Sequence, residues 1–152
     1  MHLYLNQVAS GTNPNPNQLV LLRPSDGLLG VTAVNDWSIT TLPGANNKAV
    51  AKAQGLHMKA SQTSNNWYLS FNIQFQDASF AGSTLNVMGI FPDNGEWSII
   101  GGTGAFSMAQ GIIKHNIIQD SDVQRIYELN IHAFCTNMTS GWVSNYETTC
   151  VD

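Results

Sequence analysis

Asn66-Trp67-Tyr68-Leu69-Ser70-Phe71-Asn72-Ile73-Gln74-Phe75-Gln76 is the stretch that decides the fold class. Trp67, Leu69, Phe71, Ile73 and Phe75 alternate with Tyr68, Ser70, Asn72, Gln74 and Gln76. A period of two places the apolar set on one face of a β-strand and the polar set on the other. Residues 126–134 repeat the pattern: Tyr127, Leu129, Ile131 and Ala133 face one way, and Glu128, Asn130 and His132 the other. Working outward, the sequence predicts further strands over 2–8, 17–22, 28–37, 48–60, 82–90, 96–101 and 105–118. Turn chemistry separates them: Gly11 to Asn17 with its two prolines, Pro24-Ser25-Asp26-Gly27, Pro43-Gly44, Ala81-Gly82 and Pro92-Asp93-Asn94-Gly95. No stretch longer than about 12 residues keeps a helical period. Many short strands at even spacing predict a sandwich or a barrel, and closing the sheet removes edges that invite aggregation.

The 152 residues suit one domain with a core of its own. They are 43% hydrophobic and only 11% charged. Asn, Gln, Ser and Thr take the place of charge, a surface suited to hydroxyl-rich neutral ligands. With a net charge of -4 and no Lys/Arg cluster along the chain, neither nucleic acid nor a charge-driven membrane partner is expected. No apolar run approaches the roughly 20 residues of a membrane span. His2-Leu3-Tyr4-Leu5 after Met1 does not resemble a signal peptide, so a cytoplasmic chain is expected, or a secreted one if a presequence was removed. Cys135 and Cys150 read as two free thiols in a reducing compartment, with a bridge closing the C-terminal tail as the alternative. The sequon Asn137-Met138-Thr139 matters only in a secreted protein. Strand patterning gives a barrel domain over residues 1–135. Residues 136–152 are left as a tail: a last strand, a purification scar or the start of a linker to another domain.

Four segments, in this order and spacing, resemble the plant dirigent family over roughly residues 2–134. They are Ala51-Lys52-Ala53-Gln54-Gly55-Leu56, Gly82 to Gly89 (GSTLNVMG), Ile100 to Gly111 (IGGTGAFSMAQG) and Tyr127-Glu128-Leu129-Asn130-Ile131. A lone Gly-Gly-Thr-Gly would suggest a phosphate loop, but no helix is predicted after it and Ala105–Gly111 reads as strand. The resemblance implies an eight-stranded antiparallel β-barrel, commonly a homotrimer, with an internal pocket that steers coupling or cyclisation of phenolic intermediates. The Val34–Ile39 segment (VNDWSI) looks closest to dirigent-like domains fused to jacalin-related lectins in monocot chimeric lectins tied to plant defence. That implies an absent lectin partner domain.

The family's pocket residues map onto altered positions. The first-strand aspartate falls on Gln7, the second on Phe91, the arginine before the Gly-Gly-Thr-Gly turn near Gly95, and two pocket tyrosines on His57 and Lys59. An amide cannot take up or give a proton at neutral pH as a carboxyl group does. The pocket lining expected is therefore Gln7, His57, Lys59 and Phe91, with no catalytic residues. His57 is the one remaining acid candidate, its pKa depressed by Lys59 beside it.

Sugar sites combine an aromatic face with hydrogen-bonding groups around it. Asn35-Asp36-Trp37 and Asp93-Asn94-Gly95-Glu96-Trp97 offer that combination, so Asn35, Asp36, Trp37, Asn94 and Trp97 are candidate carbohydrate-binding residues. The plain structural alternative is that Trp37 plugs the barrel end and Trp97 lies in a subunit contact; Trp67 reads as core. His2, His57, His115 and His132 show no metal-ligand spacing, so no metal or other cofactor is expected. The leading expectation is a non-catalytic module binding an oligosaccharide from plant cell walls or glycans. The alternatives are a dirigent protein steering stereoselective phenoxy-radical coupling, and an oligomerisation domain, dimer or trimer, raising the avidity of the fused lectin.

Overall fold

A computed structural model describes residues 1–8, 16–25, 27, 29–91, 93–136 and 147–151. The strands are β1 (His2–Val8), β2 (Gln18–Leu22), β3 (Thr32–Thr40), β4 (Ala49–Lys59), β5 (Trp67–Phe75), β6 (Thr84–Ile90), β7 (Asn94–Thr103), β8 (Gln110–Asp120), β9 (Gln124–Thr136) and β10 (Glu147–Val151). The order β1-β3-β4-β5-β6-β7-β8-β9 closes on itself through antiparallel pairing of β1 with β9, giving a closed eight-stranded barrel. β2 and β10 stand outside that circuit, on β3 and β9 respectively.

Alternation builds the core as the period of two requires. Leu69, Phe71, Ile73 and Phe75 of β5 point inward, as do Trp37 and Ile39 of β3 and Leu129, Ile131 and Ala133 of β9. Burying such side chains contributes roughly 1.5–3 kcal/mol each, and close packing leaves little room for change.

One end of the barrel is sealed. Phe75, Phe80 and Phe106 form a three-ring plug with centroids 4.9 to 5.7 Å apart. The segment predicted as strand from Ala105 instead turns through a short 3-10 element, Gly104–Phe106, and β8 begins only at Gln110. The Gly-Gly-Thr-Gly motif makes that turn possible. Gly104 takes φ +64, the left-handed region that favours glycine, and a Cβ at Gly102 would strike the backbone carbonyls of Phe106 and Thr84. The motif therefore swings Phe106 into the barrel end and has a packing role.

Cys135 and Cys150 are joined in a disulfide, not free, with Cα atoms 5.5 Å apart. Single-residue composition could not show this, because the pairing depends on β10 folding back beside β9. Asn137, Met138 and Thr139 lie outside the described residues.

At the opposite end the wall opens. Asn17 bridges the end of β1: its side chain accepts from Val8 N at 2.7 Å and donates to the Asn6 carbonyl at 2.8 Å, and its own carbonyl accepts from Asp36 N at 2.8 Å. β2 then continues along β3, Gln18 opposite Asn35, where β1 has ended. The ladder between β1 and β9 ends at Val8 and Gln124. Past that point the barrel has a mouth framed by β2 and the start of β9.

Candidate functional site

The mouth leads into a cavity of about 420 Å³, within the usual range for small-molecule sites. Gln7 from β1, Gln18 and Val20 from β2, Val31 and Ala33, His57 from β4, Trp67 from β5, Phe91 and Asp93 between β6 and β7, and Arg125 from β9 line it, with Arg23 and Asn65 at its rim. Three of the four expected lining residues, Gln7, His57 and Phe91, are among them. Lys59 is instead in an adjoining groove with Leu29, Ser61 and Asn65. Its Nζ donates to Asn65 Oδ1 at 2.9 Å and lies 5.9 Å from the Trp67 ring centroid.

Aromatic rings floor the cavity. His57 sits 5.3 Å from Trp37, 5.6 Å from Trp67 and 6.0 Å from Phe91, centroid to centroid. Beneath Phe91 are Trp97 at 5.7 Å and Tyr127 at 5.3 Å, the latter edge-on. His115 stacks on Trp97 at 4.0 Å. Such a floor offers flat apolar surface to a planar ligand.

Burial sets the protonation states. Desolvation lowers the pKa of both His57 and His115 to about 4, so both rings are neutral at pH 7. The expected depression by Lys59 is not the cause, since desolvation alone accounts for it. Burial likewise raises the Tyr127 hydroxyl above its ordinary value, and Arg125 opposes that shift. Arg125 grips Asp120 with two parallel bonds, Nε to Oδ1 at 2.9 Å and Nη2 to Oδ2 at 2.8 Å, while Nη1 donates to the Tyr127 hydroxyl at 3.4 Å. The Asp120 hydrogen bond raises the arginine's pKa further. Gln7 Nε2 donates to Gln18 Oε1 at 2.8 Å, which also receives Trp37 Nε1 at 3.3 Å. Gln7 Oε1 and His57 Nδ1 are buried and have no hydrogen-bond partner among the described residues.

The aromatic-plus-amide clusters read from the sequence do not assemble. Adjacent residues of a strand face opposite ways. Trp37 points into the barrel at 0% exposure, whereas Asp36 faces outward and holds Lys52 Nζ at 3.2 Å and Gln54 Nε2 at 2.9 Å. Asn35 also points inward, donating to the Ala53 carbonyl at 2.9 Å. Trp97 is likewise at 0% exposure, with its Nε1 on the Ile90 carbonyl at 3.1 Å. Asn94 is exposed, and its Oδ1 accepts from Ile117 N at 3.0 Å. Neither indole presents an open face for a sugar ring.

The expectation that the cavity has lost its acids and its arginine, drawn from Gln7, Phe91 and Gly95, also needs correction. Arg125 and Asp93 enter from positions the family motif does not mark, and Arg23 joins them from the end of β2. Tyr127 carried a visible signal, since its alternation already placed it inward. Arg125, two residues earlier, shares that face. Among the described residues no group of three or more potential metal ligands occurs, and no helix is long and apolar enough to cross a membrane.

The dirigent-like protein family model matches residues 1–134, and the chain belongs to that family. It is 31% identical over 137 residues to dirigent protein 1 of Arabidopsis thaliana, covering 86% of this chain and 75% of that protein. It is 30% identical over 120 residues to pterocarpan synthase 1 of Glycyrrhiza echinata, covering 73% of this chain and 63% of that one. A solved pterocarpan synthase dirigent protein superposes with a TM-score of 0.83 at 26% identity, over 93% of this chain and 87% of its own. A pyocyanin demethylase chain, 19% identical with a TM-score of 0.55, shares the fold alone.

Proposed function

We propose that the barrel mouth binds a planar phenolic intermediate generated elsewhere and fixes the face on which its next bond forms. The observation that carries this is the aromatic-floored cavity with hydrogen-bonding groups at its rim and no strong proton donor inside at neutral pH. His57 is uncharged and the Tyr127 hydroxyl is held protonated. Arg125 does not release a proton. Such a site orients a ligand better than it supplies general acid catalysis. Radical coupling suits these limits. An external one-electron oxidant removes an electron and a proton from each phenol, and two phenoxyl radicals then join through one new bond. The protein need only hold one radical with a single face open. The names of the relatives point the same way, whereas the two indoles on which the carbohydrate reading stood, Trp37 and Trp97, are buried.

The test is to oxidise a set of 4-hydroxyphenylpropenoids, alcohols and acids, with a one-electron oxidant with and without the protein. An enantiomeric excess from at least one member of the set is expected, and it should shrink in Trp67→Ala. Racemic products throughout, with folded protein at saturating ligand, would remove the reading.

A further inference from the structure

The chain has six lysines and arginines against ten aspartates and glutamates, yet the mouth reverses that balance. Both of its arginines, Arg23 and Arg125, line the cavity, with Asp93 as the one carboxylate among the lining residues. Lys59 adjoins them, sharing Asn65 with the cavity rim.

Their partners show what is missing. Arg125 is held by Asp120. Lys59 is 6% exposed, yet its ammonium rests on a neutral amide, Asn65, and a ring face. Buried charges are ordinarily matched by an opposite charge. Arg23 is exposed and makes no ion pair among the described residues. A cation on an amide, a second with no ion pair among the described residues and a third lining the same cavity form a basic rim in an acidic protein. Asp93 offsets part of it and also opposes ionisation of Tyr127.

We infer that the ligand of this cavity is an aromatic carboxylate, its ring on the Trp67–His57–Phe91 floor and its anionic group at the basic rim of Arg23, Lys59 and Arg125. The inference rests on the aromatic-ligand reading above and adds the charge. An anion meeting a guanidinium gains a charge-assisted hydrogen bond that a neutral alcohol cannot match.

A matched pair of probes tests it: 4-hydroxycinnamate and 4-hydroxycinnamyl alcohol share ring, double bond and phenol and differ in the charged end. Calorimetric titration at low salt is expected to give the acid about tenfold tighter binding, one charge-assisted hydrogen bond converted at about 1.4 kcal/mol per decade. That preference should narrow as salt is raised. Arg23→Gln, an exposed change, should weaken the acid several-fold and leave the alcohol unchanged, while Asp93→Asn should strengthen the acid. If the alcohol binds as tightly as the acid, the charged-ligand inference is overturned while the aromatic-ligand reading stands. If neither binds to wild-type protein, both fall.

Discussion

The two ends of this barrel are built from similar residue types and put to opposite uses. At the sealed end Phe75, Phe80 and Phe106 pack on one another, and Cys135 Sγ lies 3.6 Å from the Ala105 carbonyl oxygen, its disulfide tying β10 to β9. At the open end Trp67, His57 and Phe91 also cluster, but Gln7, Arg23, Asp93 and Arg125 come between them and a full seal. Rings that meet only rings close a barrel. Rings that share a rim with polar groups leave it open, because those groups need water or a ligand.

Acid should distinguish the two ends most strongly. His57 and His115 lie beneath the mouth, and the folded protein keeps them neutral down to about pH 4 against 6.5 in the unfolded chain. Between those values the unfolded state binds more protons, so stability is full above pH 6.5 and is lost as pH falls toward 4. The loss is up to about 3 kcal/mol for each imidazole. Urea unfolding across that window should show the slope, and His115→Phe should remove about half of it. An unchanged slope would mean that His115 is solvated.

Next in size is the plug. Phe106→Ala should lower stability by about 3–5 kcal/mol, whereas Trp67→Ala, at a half-buried rim position, should lower it by about 1 kcal/mol or less and act chiefly on ligand binding. Equal losses by denaturant titration would erase the contrast between the ends. Reducing the Cys135–Cys150 bridge, whose cysteines have a sequence separation of 15, should destabilise by up to about 3 kcal/mol. Calorimetric melting with and without reductant reads that loss, and ligand affinity at the far mouth should stay the same. The smallest effect is expected for Asp120→Asn. The pair with Arg125 is partly solvent-exposed, so stability should move by less than about 1 kcal/mol. The freed guanidinium should nonetheless alter affinity for a carboxylate ligand, measured by the same titration.

How much of this was legible differs between the ends. Alternation fixed nearly every wall, and even the inward set of β5 and β9 can be read directly from Trp67–Phe75 and Tyr127–Ala133. The same rule, applied to Asp36 and Trp37, would have separated them, since neighbours on a strand cannot share a face. The turn at Gly104–Phe106 was hidden because Ala105 to Ala109 is apolar enough to pass for strand, and only the crowding at Gly102 shows otherwise. The rim was hidden for a different reason. Arg23, Asp93 and Arg125 are far apart in the chain, and closure of the sheet brings them together, which no local pattern reports.

The strand that frames the entrance, β2, joins the cylinder along one side, through β3. Four or five residues there can be exchanged without disturbing any ladder of the closed circuit. The choice of guest can thus drift quickly while the vessel stays the same, so relatives of one architecture can diverge in what they accept by re-cutting a doorway.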